Sequence, residues 1–388
     1  MSTYAPAPVT FVRGEGSRLF DSKGRAYLDF LGGLAVTSLG HCHPAVTRAI
    51  AAQAATLMHV SNLFSNNVGP QLAATIDRLL GGGGRVFLCN SGAEANECAM
   101  KLARRWARRH DDTPAGPGRH EVVSLNRSFH GRTLAALAAT GQRAKHAPFL
   151  PLPAGYHHID AGDSVALRRV MADGQVAAVL VESLQGEGGV NEIPDSWLRE
   201  VQAQCREANA LLIVDEVQTG LGRTGKWFGF EHSGIRPDVV TLAKALGNGM
   251  PIGACWARGE VADAFSAGDH GTTFGGQPMA AAAAAAVLAE LEALDAPKLA
   301  AQAGSRLRSG VAALPGVAGV RGRGLLLAME LESVSSVRLA RRALDAGLIV
   351  NAVTPTAIRL APSLLVSGSE IDEALTIFRR LLTDPESD

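Results

Sequence analysis

Leu211-Leu212-Ile213-Val214 runs into Asp215-Glu216-Val217-Gln218, and Asp238-Val239-Val240-Thr241-Leu242-Ala243 runs into Lys244-Ala245-Leu246-Gly247-Asn248-Gly249. Short apolar runs of this kind read as buried strands, and open α/β sheets place ligands outside the carboxyl ends of their strands. The two runs therefore predict an α/β fold in which Asp215 and Lys244 face one cleft. A lysine in that place can hold an aldehyde cofactor as a Schiff base. A carboxylate can keep a pyridine nitrogen protonated, because an opposite charge within about 4–6 Å favours the charged form. The pair suits pyridoxal phosphate (PLP). A strand ending in Asp-Glu also occurs in ATPases, but that reading needs a G-x-x-x-x-G-K-[ST] loop. Gly81 to Gly84 leads instead into Arg85-Val86-Phe87.

Three further segments point to the same cleft. Phe87-Leu88-Cys89-Asn90-Ser91-Gly92-Ala93-Glu94 reads as a strand, a small-residue turn and a helix beginning near Ala93, with apolar spacing at Ala95, Cys98, Ala99, Leu102, Ala103 and Trp106. Free N–H groups and the helix dipole make such a terminus an anion site; an ordinary Ser N-cap is the alternative for Ser91. Ser128-Phe129-His130-Gly131-Arg132-Thr133 brings together an aromatic ring, a histidine and an arginine. These suit a flat ring and a carboxylate, which arginine grips bidentately. Gln185-Gly186-Glu187-Gly188-Gly189 follows the apolar strand Ala177 to Glu182 and sets a glycine-flanked carboxylate at a strand end, or a mere turn acid.

In that order, from Arg13-Gly14-Glu15-Gly16 to Arg359-Leu360-Ala361-Pro362, the motifs resemble those of the class III (ornithine/acetylornithine-type) aminotransferases of PLP fold type I. The resemblance covers almost the whole chain. It implies a large, mainly parallel-sheet domain with helices on both faces, a smaller α+β domain, and bound PLP. By the resemblance Lys244 forms the Schiff base and shuttles the proton between substrate Cα and cofactor C4′. Asp215 pairs with the pyridine nitrogen and Gln218 contacts the ring hydroxyl. Ser91, Gly92 and Ala93 hold the phosphate, and Phe129 stacks on the ring. Thr273 of His270-Gly271-Thr272-Thr273-Phe274 reaches the phosphate of a neighbouring subunit, so the resemblance implies a homodimer with shared sites.

The resemblance also places Arg132, Glu187, Arg359, Ser65, Leu34 and Thr272 at the substrate. Arg132 takes a substrate carboxylate, Arg359 the α-carboxylate of glutamate, and Glu187 is the acid that pairs with Arg359 until glutamate or 2-oxoglutarate arrives. Ornithine δ-aminotransferases carry tyrosines where this chain has Leu34 and Ser65. Their loss leaves room for an N-acyl group. This points to N-acetylornithine as donor, 2-oxoglutarate as acceptor, and arginine biosynthesis. Asn66-Asn67-Val68 resembles the ornithine branch instead. Ornithine, N-succinylornithine, N-succinyldiaminopimelate and 4-aminobutyrate stay open as donors. A mutase or decarboxylase of the same fold, or an inactive binding homologue, would dispense with Arg359 and Glu187 or with Lys244, Asp215 and Thr273.

The 388 residues suffice for two such domains, and 37 basic against 37 acidic residues leave no nucleic-acid or membrane footprint. Arg104, Arg105, Arg108 and Arg109 read as the solvated face of an amphipathic helix. The five cysteines are scattered without a C-x-x-C, which reads as a reduced, cytoplasmic protein. Met1-Ser2-Thr3-Tyr4-Ala5-Pro6 has neither a basic start nor an apolar core of a secretion signal. His41-Cys42-His43-Pro44 lacks a second ligand cluster, so no metal is expected. The alanines 280–286 with Val287-Leu288 read as the closely packed helix linking two domains, not as a membrane span. Residues 1–50 are expected to join the small domain of residues 281–388, with 51–280 forming the large domain. Arg18-Leu19-Phe20 and Ala26 to Phe30 predict a hairpin, Gly322 to Glu330 one strand, and Thr113 to Gly118 a surface loop.

Overall fold

The computed structural model describes residues 1–110 and 118–383. The stretch expected to form a loop at 113–118 lies outside them except for Gly118.

Seven strands form the central sheet, in the spatial order Gly84–Cys89, Gly253–Arg258, Val239–Leu242, Leu211–Asp215, Val176–Val181, Glu121–Leu125, Tyr156–Ile159. All run parallel except Gly253–Arg258, which is antiparallel to both neighbours. The alternation of side chains along each strand decides what each face meets. Ala178, Leu180, Ile213 and Val239 face the helix Gly92–His110, which lays down Cys98, Ala99, Leu102 and Ala103. Val179, Val181, Leu212 and Val214 face the helices Ser164–Ala172 and Asp195–Glu207 through Leu167, Trp197, Leu198 and Val201. Covered on both sides, the strands are continuous apolar runs, the pattern of parallel sheets. With Ile213 on the first face, Asp215 falls on it too, toward the helix Gly92–His110.

Phe11–Glu15, Arg18–Asp21 and Ala26–Asp29 form an antiparallel meander, and Leu348–Ile349 adds to it beside Ala26–Asp29. The first and last parts of the chain thus share one sheet. A third sheet has the order Val317–Arg323, Leu326–Leu331, Ala357–Leu360, Asn351–Thr354. Here the single strand expected over 322–330 is two strands of a hairpin, with Gly322 opposite Leu327 and Arg323 opposite Leu326. Gly324 causes the reversal. Its φ is +55°, and a Cβ there would meet the carbonyl carbon of Thr224 at 2.5 Å, so only glycine lets the chain turn against that segment.

The alanine-rich helix Pro278–Ala293 packs against Pro44–Thr56 and Gly69–Leu79, burying Ala280, Ala281, Ala283, Ala284, Val287, Leu288 and Leu291. Small side chains let the helix axes approach closely, and each fully buried Leu or Val contributes about 1.5–3 kcal/mol. Among the described residues no helix is long and apolar enough to cross a membrane. The arginine-rich face of Gly92–His110 is not simply solvated. Arg104 donates to the His120 carbonyl at 2.9 Å, Arg105 pairs with Asp269 at 3.0 Å and Arg109 donates to Ser266 Oγ at 3.1 Å. The segment 263–269 lies along that face and supplies acceptors where water was expected. Four of the five cysteines are buried and Cys42 is exposed; all are free thiols.

Candidate active site

The strand ends deliver two reactive groups into one cavity of about 400 Å³. Asp215 is the last residue of its strand. Lys244 opens the 3-10 turn Lys244–Leu246 with φ of +44°, a backbone that turns the chain sharply out of the sheet. Of the predicted residues, Ser91, Gly92, Ala93, Phe129, Arg132, Glu187, Asp215, Gln218 and Lys244 line the cavity.

Asp215 is 4 % exposed, and a buried carboxylate is costly unless hydrogen-bonded. Its Oδ2 accepts from Asn96 Nδ2 at 2.8 Å and from His130 Nδ1 at 2.9 Å, while Oδ1 accepts from the Val217 amide at 3.0 Å. Asn96 also donates to the His130 carbonyl at 2.8 Å and accepts from Thr241 Oγ1 at 2.8 Å. Burial makes Lys244 give up its proton more easily than an ordinary lysine; Glu187 opposes this, Arg359 adds to it, and Asp215 and Glu182 oppose it. Among the described residues its amine makes no hydrogen bond or ion pair, so it is free to react.

At the other end of the cavity, the Ser91 hydroxyl accepts from the Glu94 amide at 3.2 Å, and Glu94 reaches back to the Asn90 amide at 2.7 Å. This is N-cap geometry. The remaining N–H groups of the first turn have no intrahelical acceptor, and the helix dipole adds its positive end. A Cβ on Gly92 would lie 2.9 Å from both Val217 methyl groups, so the glycine keeps this cradle open. An anion would fit there.

Arg359, on strand Ala357–Leu360, is completely buried. Its Nη1 donates to Glu187 Oε1 at 2.7 Å, Gln218 Oε1 at 3.1 Å and the Gly186 carbonyl at 3.2 Å, and Nε donates to Asn351 Oδ1 at 3.3 Å. Among the described residues Nη2 is buried without a partner. A Cβ on Gly186 would lie 1.7 Å from Gln218 Oε1, which explains the glycine beside this pair. Burial alone would raise Glu187, but the charges of Arg359 and Lys244 and the hydrogen bonds from Arg359 and Gln218 hold it below the usual carboxylate range. The Arg132 guanidinium carbon lies 5.6 Å, and Lys145 Nζ 6.0 Å, from the centre of the Phe129 ring. Phe129 and Arg132 line the cavity, and Lys145 lies by the same ring.

In the single chain Leu34, Ser65, Thr272 and Thr273 do not line this cavity, although Thr272 Oγ1 accepts from Asn90 Nδ2, of its wall, at 3.2 Å. Ser65, Thr272 and Thr273 line a separate depression of about 820 Å³, and Leu34 is exposed with φ of +71°. Asn96, Thr241, Glu182 and His130 carry no site role in the motifs that contain them, yet all four stand around Asp215 and Phe129. Asn96 and Thr241 leave a faint trace, since each is a polar residue inside an otherwise apolar strand or helix face. Glu182, with its carboxylate accepting from the Phe129 amide at 3.1 Å, is pushed well above the usual range by burial and by Asp215.

The profile of the family described as aminotransferase class-III matches residues 2–382. The acetylornithine aminotransferase of Caldanaerobacter subterraneus subsp. tengcongensis is 45 % identical over 99 % of this chain and 97 % of its own length. Among solved structures, the N-acetylornithine aminotransferase of Stenotrophomonas maltophilia aligns with a TM-score of 0.85 and 35 % identity over 98 % of this chain and 97 % of that one. The ornithine aminotransferase of Toxoplasma gondii aligns with a TM-score of 0.92 and 35 % identity over 99 % of this chain and 92 % of that one; that structure is described as having partial occupancy of PLP at its active site.

Proposed function

Since this chain belongs to the class-III aminotransferases, we propose that it moves the δ-amino group of N-acetylornithine to 2-oxoglutarate, giving N-acetylglutamate 5-semialdehyde and glutamate, with PLP as its cofactor. The observation that carries the reading is the meeting in one cavity of a free, half-buried Lys244, a buried Asp215 and Glu187, with Glu187 paired to a fully buried Arg359. The donor set fits PLP: an amine for the aldehyde, a carboxylate for the ring nitrogen, Phe129 for the ring face, and the Gly92 cradle for the phosphate. When bound, PLP supplies an electron sink for the carbon that carries the amino group.

The chain's own groups do the rest. Lys244 Nζ would take the proton from the amine-bearing carbon, and the lowered proton affinity that burial and Arg359 give it leaves the amine more readily in the neutral form that can accept one. Asp215 holds positive charge at the ring nitrogen. Gln218, 8 % exposed and hydrogen-bonded to Arg359, would read the ring hydroxyl. Arg132, seconded by Lys145, offers cations to the donor's α-carboxylate, and the N-acyl group removes the donor's second positive charge. Glu187 neutralises Arg359 while that donor is bound. When glutamate or 2-oxoglutarate enters, Arg359 turns its charge, and its partnerless Nη2, to the α-carboxylate.

The acetylornithine aminotransferase that is 45 % identical over nearly the full length supports this donor over free ornithine. So does the absence of tyrosine at Leu34 and Ser65. A homodimer in the cytoplasm belongs to the same reading. The depression that holds Ser65, Thr272 and Thr273 is where a second subunit would complete each site, with Thr273 reaching the neighbour's phosphate. The test is steady-state turnover by the PLP-loaded protein with N-acetylornithine and 2-oxoglutarate. Glutamate should accumulate together with an aldehyde, from a particle of about twice 40.4 kDa. No glutamate from any ω-amine donor would overturn the proposal.

A further inference from the structure

Asn96 is 1 % exposed and sits on the helix Gly92–His110, facing the sheet. Thr241, on strand Val239–Leu242, is wholly buried opposite it, paired in register with Asp215 on the next strand. A side-chain amide has two donors and one acceptor oxygen, and here every one is engaged. Both N–H groups donate, one to Asp215 Oδ2 at 2.8 Å and one to the His130 carbonyl at 2.8 Å. The oxygen accepts from the Thr241 hydroxyl at 2.8 Å. Turning the amide over would set its oxygen against a carboxylate and a carbonyl and its NH₂ against a hydroxyl that, among the described residues, has no other hydrogen-bond acceptor. Thr241 therefore decides which way Asn96 points.

The consequence falls on Asp215. Asn96 and His130 together saturate Oδ2. Among the described residues Oδ1 takes only the Val217 amide, at 3.0 Å, and keeps a lone pair for the cavity. We propose that the Thr241–Asn96 pair is a positioning device that holds the Asp215 carboxylate turned so that Oδ1 would meet the cofactor's ring nitrogen. The inference rests on the PLP reading of the same site. Neither residue touches the reacting atoms; each acts through Asp215. Loss of the hydroxyl at 241 frees Asn96 to flip, which removes a donor from Asp215 and adds an oxygen beside it.

The experiment compares Thr241→Val, which keeps the shape and removes the hydroxyl, with Thr241→Ser, which keeps the hydroxyl and removes a methyl group. For each, PLP affinity is titrated on the apoprotein by absorbance, and the pH dependence of the bound cofactor's absorbance is recorded. Removing one buried hydrogen-bond donor to an ordered network predicts a PLP dissociation constant raised roughly ten-fold in Thr241→Val and nearly unchanged in Thr241→Ser. The cofactor's ring nitrogen should also lose its proton at lower pH in the Val variant alone. If Ser is impaired and Val is not, Thr241 serves packing and the inference is wrong; equal behaviour of the two overturns it as well. Asn96→Ala should reproduce the Val result, and wild-type affinity in a folded Asn96→Ala would contradict it. A wild-type chain that binds no PLP would instead refute the reading on which this rests.

Discussion

Replacing Glu187 by glutamine removes a charge and preserves a shape, and so isolates the pair that Glu187 makes with Arg359. The wild-type contact is a charge-assisted hydrogen bond of 2.7 Å to a fully buried guanidinium. Such bonds contribute about 1.5–3 kcal/mol. Glu187 keeps 29 % of its side-chain surface, which places the value at the lower end. About 1.4 kcal/mol corresponds to a factor of ten. In wild type, glutamate must displace Glu187 from Arg359 before its α-carboxylate can be held; in Glu187→Gln it displaces only a neutral amide. The donor, with no carboxylate near Arg359, loses the neutralising partner instead. The ratio of kcat/KM for the glutamate half-reaction to that for the N-acetylornithine half-reaction should therefore shift about ten-fold toward glutamate. Stopped-flow measurement of each half-reaction separately, by the absorbance of the bound cofactor, gives the ratio. An unchanged ratio, or a shift toward the donor, would refute the idea of an opening pair.

Lys244→Ala should fold with a melting temperature no lower than wild type, because burial disfavours the ammonium it removes, and should form no glutamate; retained turnover would remove Lys244 from the chemistry. Arg359→Ala should lose about 100-fold in the glutamate half-reaction and less than ten-fold with the amine donor, as a buried charged contact to a carboxylate is removed from one substrate only; equal losses in rapid-mixing kinetics would contradict that assignment. Burial and the nearby His146 hold His158 at about 4, below its ordinary 6.5. Between those values the unfolded chain takes up a proton that the folded one refuses, so stability is fully present above pH 6.5 and falls as pH drops toward 4. His158→Phe should flatten that part of the plot of melting temperature against pH, and an unaltered slope would show that other groups govern it.

Asp215 and Lys244 were readable because each ends a short apolar run, and strand ends in open sheets face ligands. Alternation along those runs carries the two faces of the sheet as well. The pairing of Arg359 with Glu187, in contrast, joins positions 172 residues apart, and nothing in local spacing links them; only resemblance to a family did. Asn96 and Thr241 stayed hidden for a related reason. Each is an ordinary small polar residue, and its meaning depends on which strand lies beside Leu211–Asp215 and which helix crosses it. The hairpin at Gly324 was missed because Gly-Leu inside an apolar run reads as a strand until the close approach of residues 223–225 is known. The arginines of Gly92–His110 looked solvated because the helix pattern shows its polar face but not the segment 263–269 that lies along it.

The central claim, a class-III transaminase specific for an N-acylated ω-amino acid, is tested most directly by a half-reaction screen of the PLP-loaded protein. N-acetylornithine, ornithine, N-succinylornithine and 4-aminobutyrate are mixed in turn with the protein, and loss of the bound cofactor's absorbance band is timed. The account predicts fast conversion by N-acetylornithine and slow conversion by ornithine. Faster conversion by ornithine or 4-aminobutyrate would contradict the donor reading, and no conversion by any of them would contradict the transaminase itself.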